Sequence, residues 1–215
     1  MMFCMDSNFL SQIESLYITY NEVVKPLIAE IEVRYEQFPT PIFNEIRAFN
    51  DHIARCYRDG INNSEIEEEL SKANGHIFRI ILDCYKFLNV DLHDKVIKQF
   101  DKRTKGIDLG VINNGLFFLF YSEAKRFINV HLKKAKLLEV IDKEKSLIEY
   151  ELTYNKFTEL ETFLVDNEKN ICWARAKYFS SKALKIIAWL IAAIISGFFS
   201  SAFFSWDKIF SFFGK

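Results

Sequence analysis

The sequence predicts an all-α fold: a helical cytoplasmic body whose long C-terminal helices lead into a transmembrane helix. Three observations carry that expectation. Turn formers are scarce, with Gly 7 and Pro 3 in 215 residues, which argues for long helices and short connections. Apolar residues recur at intervals of three and four along most segments, the period of one helix face. Residues 186–206, IIAWLIAAIISGFFSSAFFSW, carry no charge, with Lys185 before them and Asp207-Lys208 after.

The first helix begins at a cap supplied by Asp6 or Ser7 and buries Phe9, Ile13, Leu16, Tyr20 and Val24. Pro26 lacks a backbone donor and is expected to kink or divide it. Pro39-Thr40-Pro41 is a clear break. The next helix presents Ile42, Ile46, Phe49, Ile53 and Tyr57, and the turn 60–63, GINN, ends it. Ser64 and Glu67 form an S-x-x-E capping box, opening a helix to about Leu88 with Ile66, Leu70, Ile77, Ile81 and Leu88 on its apolar face. Residues 90–103 read as a separate short helix, and 105–110, KGIDLG, as the clearest loop. From Val111 onward there is no proline, and only Gly115 and Gly197 before the end, so long helices are expected. This divides the chain into a helical body over 1–104, a helical connecting region over 105–185, a membrane span over 186–206 and a short tail over 207–215. The charge-free stretch 109–122 is shorter than a normal span and reads as core or interfacial.

At about 1.5 Å per residue, 186–206 matches a hydrocarbon core about 30 Å thick. A soluble helix of this length would carry a polar stripe; here the only polar side chains besides the tryptophans are serines. Trp189 and Trp206 lie near the two ends, where indole rings favour the interface. Arg175, Lys177, Lys182 and Lys185 precede the span, and only Lys208 and Lys215 come after it. The more basic flank marks the cytoplasmic side, so a single-pass protein of a bacterial inner membrane with its N-terminal body in the cytoplasm is expected. Within the span, Ala188, Ala192, Ser196 and Ser200 repeat at four, as do Ala193, Gly197, Ser201 and Ser205. Small residues at that spacing let helices approach closely, which makes a homo-oligomer in membrane lipid the expected assembly.

Lys+Arg 28 against Asp+Glu 29 leaves no global basic field, and no direct DNA binding is expected. Cys4, Cys56, Cys84 and Cys172 are scattered without C-x-x-C spacing, which disfavours zinc and fits thiols in a reducing cytosol. MMFCMDSNFL lacks the basic and apolar regions of a secretory signal. No phosphate-cradling glycine loop, nucleophile elbow or H-x-x-x-H pair is present, so no metal and no cofactor is expected.

Two places carry Arg and His five residues apart: Arg47/His52 in EIRAFNDHIAR and Arg126/His131 in KRFINVHLKK. This spacing resembles the Arg-x(4–6)-His signature of HEPN ribonucleases, an all-α family. The resemblance implies an Arg that steadies the scissile phosphate and a His that moves protons for 2′-OH attack, in a site formed across a dimer. On a regular helix the five-residue step instead sets the two side chains about 140° apart, with Asp51 placed to pair with Arg47. The cluster Lys125, Arg126, Lys133, Lys134 and Lys136 reads as a solvated face or an anionic-lipid contact. In organisation, the helical body, long connecting helix and terminal span with small-residue rows resemble membrane-spanning effectors of bacterial anti-phage systems of the retron-associated type. That resemblance implies a toxin held inactive until infection, which then oligomerises and disrupts the inner membrane in abortive infection. A regulatory protein or nucleoprotein complex would be its partner. A non-catalytic membrane-anchored adaptor and a membrane-tethered HEPN-like ribonuclease are the alternatives, so an enzyme is the lesser expectation.

Overall fold

The computed structural model describes residues 7–35 and 38–200, and every regular element among them is helical. α1 (Ser7–Thr19) passes through a π-helical turn (Tyr20–Val24) into α2 (Lys25–Arg34). Pro26 stands in the first turn of α2, where its missing N–H costs least. The wider π turn upstream absorbs the ring, so the chain is divided at the expected place without losing its direction. Asp6 lies outside the described residues.

α3 (Thr40–Arg55) buries Ile42, Phe49 and Ile53 as its periodicity requires. Tyr57 falls beyond its end and is half exposed, meeting Phe9 edge-on. α4 (Asn63–Leu92) starts earlier than the Ser64/Glu67 pattern suggests. The capping box is Asn62/Glu65: the Glu65 N–H donates to Asn62 Oδ1, and the Asn62 N–H donates to Glu65 Oε2, both at 3.0 Å. Asparagine two residues upstream of Ser64 satisfies the first free donors, which leaves Ser64 inside the helix. The expected separate helix over 90–103 is instead a continuation of α4 through a second π turn (His93–Lys98) into α5 (Gln99–Arg103).

Beyond the 104–108 loop, Asp108 Oδ1 accepts from the Gly110 N–H and opens a short 3-10 turn (Leu109–Gly115). Asn113 and Asn114 then take left-handed conformations, φ 49° and 53°, which asparagine tolerates better than most residues. The stretch 109–122 is therefore a broken turn feeding α6 (Leu116–Leu138), with Ile112 and Phe117 buried. α7 (Lys143–Asp166) and α8 (Glu168–Ser200) complete the described chain.

The chain forms two compact units. The first runs to Lys102 and resumes over Tyr121–Thr162; the second comprises Arg103–Phe120 and the residues from Phe163 onward. The first unit is built on the α3–α4 hairpin, with α1 and α2 packed on α4. Fully buried Ile31, Ile42, Phe49, Ile80 and Leu88 lie in one core cluster. α7 is tied to it by polar bonds. Arg34 grips Glu161 through both terminal nitrogens, at 3.2 and 2.8 Å. Buried Asn89 donates to the Tyr150 carbonyl at 2.9 Å, and the Tyr154 hydroxyl donates to Glu30.

In the second unit Phe163 packs against Phe117 and Phe120, ring centroids 5.1 and 4.1 Å away. Arg103 meets Glu168 at 2.9 Å, and α8 packs on the 109–115 turn, burying Ile171 and Ala174. Gly106 has φ 81°, and a Cβ there would stand 2.9 Å from the Tyr178 hydroxyl. Both the backbone and the space demand glycine. Gly106→Ala is expected to lower stability by about 1–3 kcal/mol, read by thermal or urea unfolding of the full chain, while Gly60→Ala, strained but with open space around it, costs less.

Candidate functional site

Among the described residues, α8 is the one helix long and apolar enough to cross a membrane. Its first turns are anchored in the second unit through Ile171 and Ala174. From Phe179 to Gly197 every side chain is exposed. Ala188, Ala192, Ala193, Ser196 and Gly197 lie along this exposed length. Ser200 ends the described helix, and Ser201, Ser205, Trp206 and the 207–215 tail lie outside the described residues.

The polar feature of the first unit is a row of side chains across α3 and α4. His52 Nδ1 lies 2.7 Å from Glu69 Oε2, and His76 Nδ1 lies 2.6 Å from Glu45 Oε2. A carboxylate only accepts, so the His52 Nδ1 carries a proton toward Glu69, whereas the His76 Nδ1 meets both Glu45 and, at 3.0 Å, the Arg79 guanidinium. The two imidazoles stack, with centroids 5.0 Å apart and planes 22° from parallel. Cations close both ends: Lys72 and Arg55 reach Glu69 at 3.2 and 3.7 Å, and Arg79 Nε reaches Glu45 at 3.0 Å. The pairs run crosswise, 45 with 76 and 52 with 69, which makes α3 and α4 antiparallel. Glu69 is 9% exposed, and the bonds from His52 and then Lys72 hold its carboxyl below the usual range against the opposing effect of burial.

A single-chain reading of this row was present in the sequence but hidden by its two halves being 24 positions apart. Glu45 precedes His52-Ile53-Ala54-Arg55 by seven residues, and Glu69 precedes His76-Ile77-Phe78-Arg79 by seven. Seven residues are close to two helical turns, so each helix offers carboxylate, imidazole and guanidinium on one face. When E-x6-H-I-x-R meets its own copy antiparallel, every carboxylate finds the other copy's histidine. His131 and Lys134 repeat half of the pattern, both bonded to Glu149 at 2.5 and 2.6 Å.

The Arg–His pairs are placed differently. Arg47 is exposed, and no ion pair joins it to Asp51 or His52 among the described residues. His52 is mostly covered and turned to Glu69, so the two side chains leave α3 on different faces. Arg126 is likewise exposed while His131 turns to Glu149. Within the basic cluster, Lys125 is neutralised by Asp101 at 2.5 Å and Lys134 by Glu149. No metal-ligating group of three or more His, Cys, Asp or Glu side chains occurs among the described residues. Cys84 is buried, which pushes its thiol up to about 12 and leaves it unreactive.

Removing Glu69 leaves the largely covered His52 Nδ1–H without its acceptor, so Glu69→Ala should cost about 1–3 kcal/mol. Because its folded pKa is depressed, its contribution is present above the unfolded value of about 4.3 and lost as pH falls through the lower folded value. Urea unfolding from pH 6 to pH 3 should show wild-type stability falling more steeply than that of Glu69→Gln. Comparison with known protein families, curated proteins and solved structures finds no match.

Proposed function

We propose that the chain is a membrane-anchored effector of a bacterial antiviral defence system, with its helical body in the cytoplasm and α8 spanning the inner membrane once. On this reading it kills or arrests the infected cell by oligomerising in, and disrupting, that membrane. The observation that carries it is α8 itself, a helix long and apolar enough to cross a membrane, exposed from Phe179 to Gly197 and uncharged over its described residues after Lys185. The exposed row of Ala188, Ala192 and Ser196 supports self-association, because small residues let helix backbones approach. The positive flank Arg175 to Lys185 supports a cytoplasmic body.

A second reading, a membrane-tethered HEPN-like ribonuclease, is favoured by one observation: Glu69 fixes the His52 tautomer with Nε2 as the basic atom, as a general base requires. The two readings part in a single experiment, controlled expression in bacteria with a membrane-potential dye. The effector reading expects depolarisation by the full chain, its loss in the Ile191→Lys/Ile194→Lys variant, and its retention in His52→Ala. Growth arrest with the potential intact, relieved by Arg47→Ala or His52→Ala, would instead establish the ribonuclease. Full function after exchange of 186–206 for an unrelated span would reduce the protein to an adaptor.

A further inference from the structure

α8 carries Lys169, Arg175, Lys177, Lys182 and Lys185 before its apolar length, and no Asp or Glu occurs between Glu168 and Asp207. In the first unit several such charges meet carboxylates: Arg34 pairs with Glu30 and Glu161, Lys86 with Glu139, Lys134 with Glu149. Three of those on α8 lie over aromatic rings of their own helix. Lys177 Nζ is 5.0 Å from the Trp173 ring, Lys182 Nζ is 4.6 Å from Tyr178, and the Arg175 guanidinium is 5.8 Å from Phe179. A ring face holds a cation in place without cancelling its charge, so these groups remain available to an anion.

Their positions say which anion. At about 100° per residue, Arg175, Lys182 and Lys185 share one side of the helix with Tyr178 and Phe179, and Lys177 lies at the edge of that side, about 80° from Lys185. A pocket for a single phosphate would gather its cations at one level, whereas here they are spread over about 15 Å of the axis. What surrounds a helix at this level, continuous with a span, is a shell of lipid headgroups. The heights agree. Lys182 and Lys185 stand within about 6 Å of the start of the apolar length along the axis, inside a headgroup layer about 5–8 Å deep. Lys177 and Arg175, about 12–15 Å below Lys185, reach that layer with long side chains and remain within about a Debye length of it.

We propose that Arg175, Lys177, Lys182 and Lys185 form a collar that binds anionic phospholipid headgroups, so that the protein selects an anionic lipid shell over a zwitterionic one. This rests on α8 spanning the bilayer. The test reconstitutes the full chain in phosphatidylcholine vesicles doped with spin-labelled phosphatidylglycerol or spin-labelled phosphatidylcholine, and measures the motionally restricted lipid by electron spin resonance. The collar expects a restricted shell with phosphatidylglycerol preferred roughly fivefold or more at about 0.1 M salt. The preference should weaken in high salt, vanish in R175Q/K177Q/K182Q/K185Q and persist in K177R/K182R/K185R. A shell with equal affinity for both lipids, or a preference unchanged in the glutamine variant, overturns the collar and leaves the span standing. The absence of any restricted shell overturns both.

Discussion

Covering the apolar side chains of α8 is the condition on which the rest of the molecule depends. Leu184, Ile186, Ile187, Trp189, Leu190, Ile191, Ile194 and Ile195 are between 47% and 70% exposed. Burying a large apolar side chain stabilises by about 1.5–3 kcal/mol, so leaving this row in water forgoes on the order of 10 kcal/mol, comparable with the whole stability of a domain. A soluble helix would resolve this with a polar face. α8 has none after Lys185. Its backbone needs no help, since a helix satisfies its own hydrogen bonds in any solvent, and so hydrocarbon is the environment in which it is least frustrated.

The body meets the opposite problem. It carries many charges and a set of histidines on helices that must pack, and it solves this by pairing. Glu69 and Glu149 are buried, yet each accepts from a histidine and a lysine. Taking a charge from water is costly unless it is hydrogen-bonded on the way in. The crossed Glu–His pairs do this twice, and in doing so they specify the α3–α4 register: a slip by one residue would unmake both carboxylate bonds and expose Ile53 and Ile77 together. The buried carboxylates of the body are thus neutralised internally, whereas Arg175, Lys177 and Lys182 of α8 stand over aromatic rings.

The all-α class, the apolar faces and a C-terminal helix long and apolar enough to cross a membrane were legible because each rests on a local pattern. Ile42, Phe49 and Ile53, or Leu70, Ile77 and Ile81, declare themselves within a few turns. Element boundaries were less so. Asn62 won the cap from Ser64 by standing where the first donors open, and the π turns at 20–24 and 93–98 bridged points that composition reads as breaks. The Glu–His row was illegible to motif reading because neither half is a motif. Glu45 and His52 look like an ordinary charged helix until a second helix brings Glu69 and His76. Arg47 and His52, five residues apart, leave α3 on different faces, whereas the seven-residue step from Glu45 to His52 keeps both on one face.

For the proposed effector, the exposure of α8 narrows how it is held silent. Some toxins are restrained by folding the membrane-active segment into their own core. Here the helix from Phe179 to Gly197 carries no such sheath among the described residues, so its partition into a bilayer needs no unmasking step. Insertion and killing are then separate events, and restraint must act on association between spans. A monomeric span leaves a bilayer intact; several packed through small residues can disturb it. The signal therefore has to reach the assembly equilibrium of the bodies, either by a partner that keeps copies apart or by one that gathers them. The body's polar ladders, rigid and internally satisfied, suit a part that is moved whole.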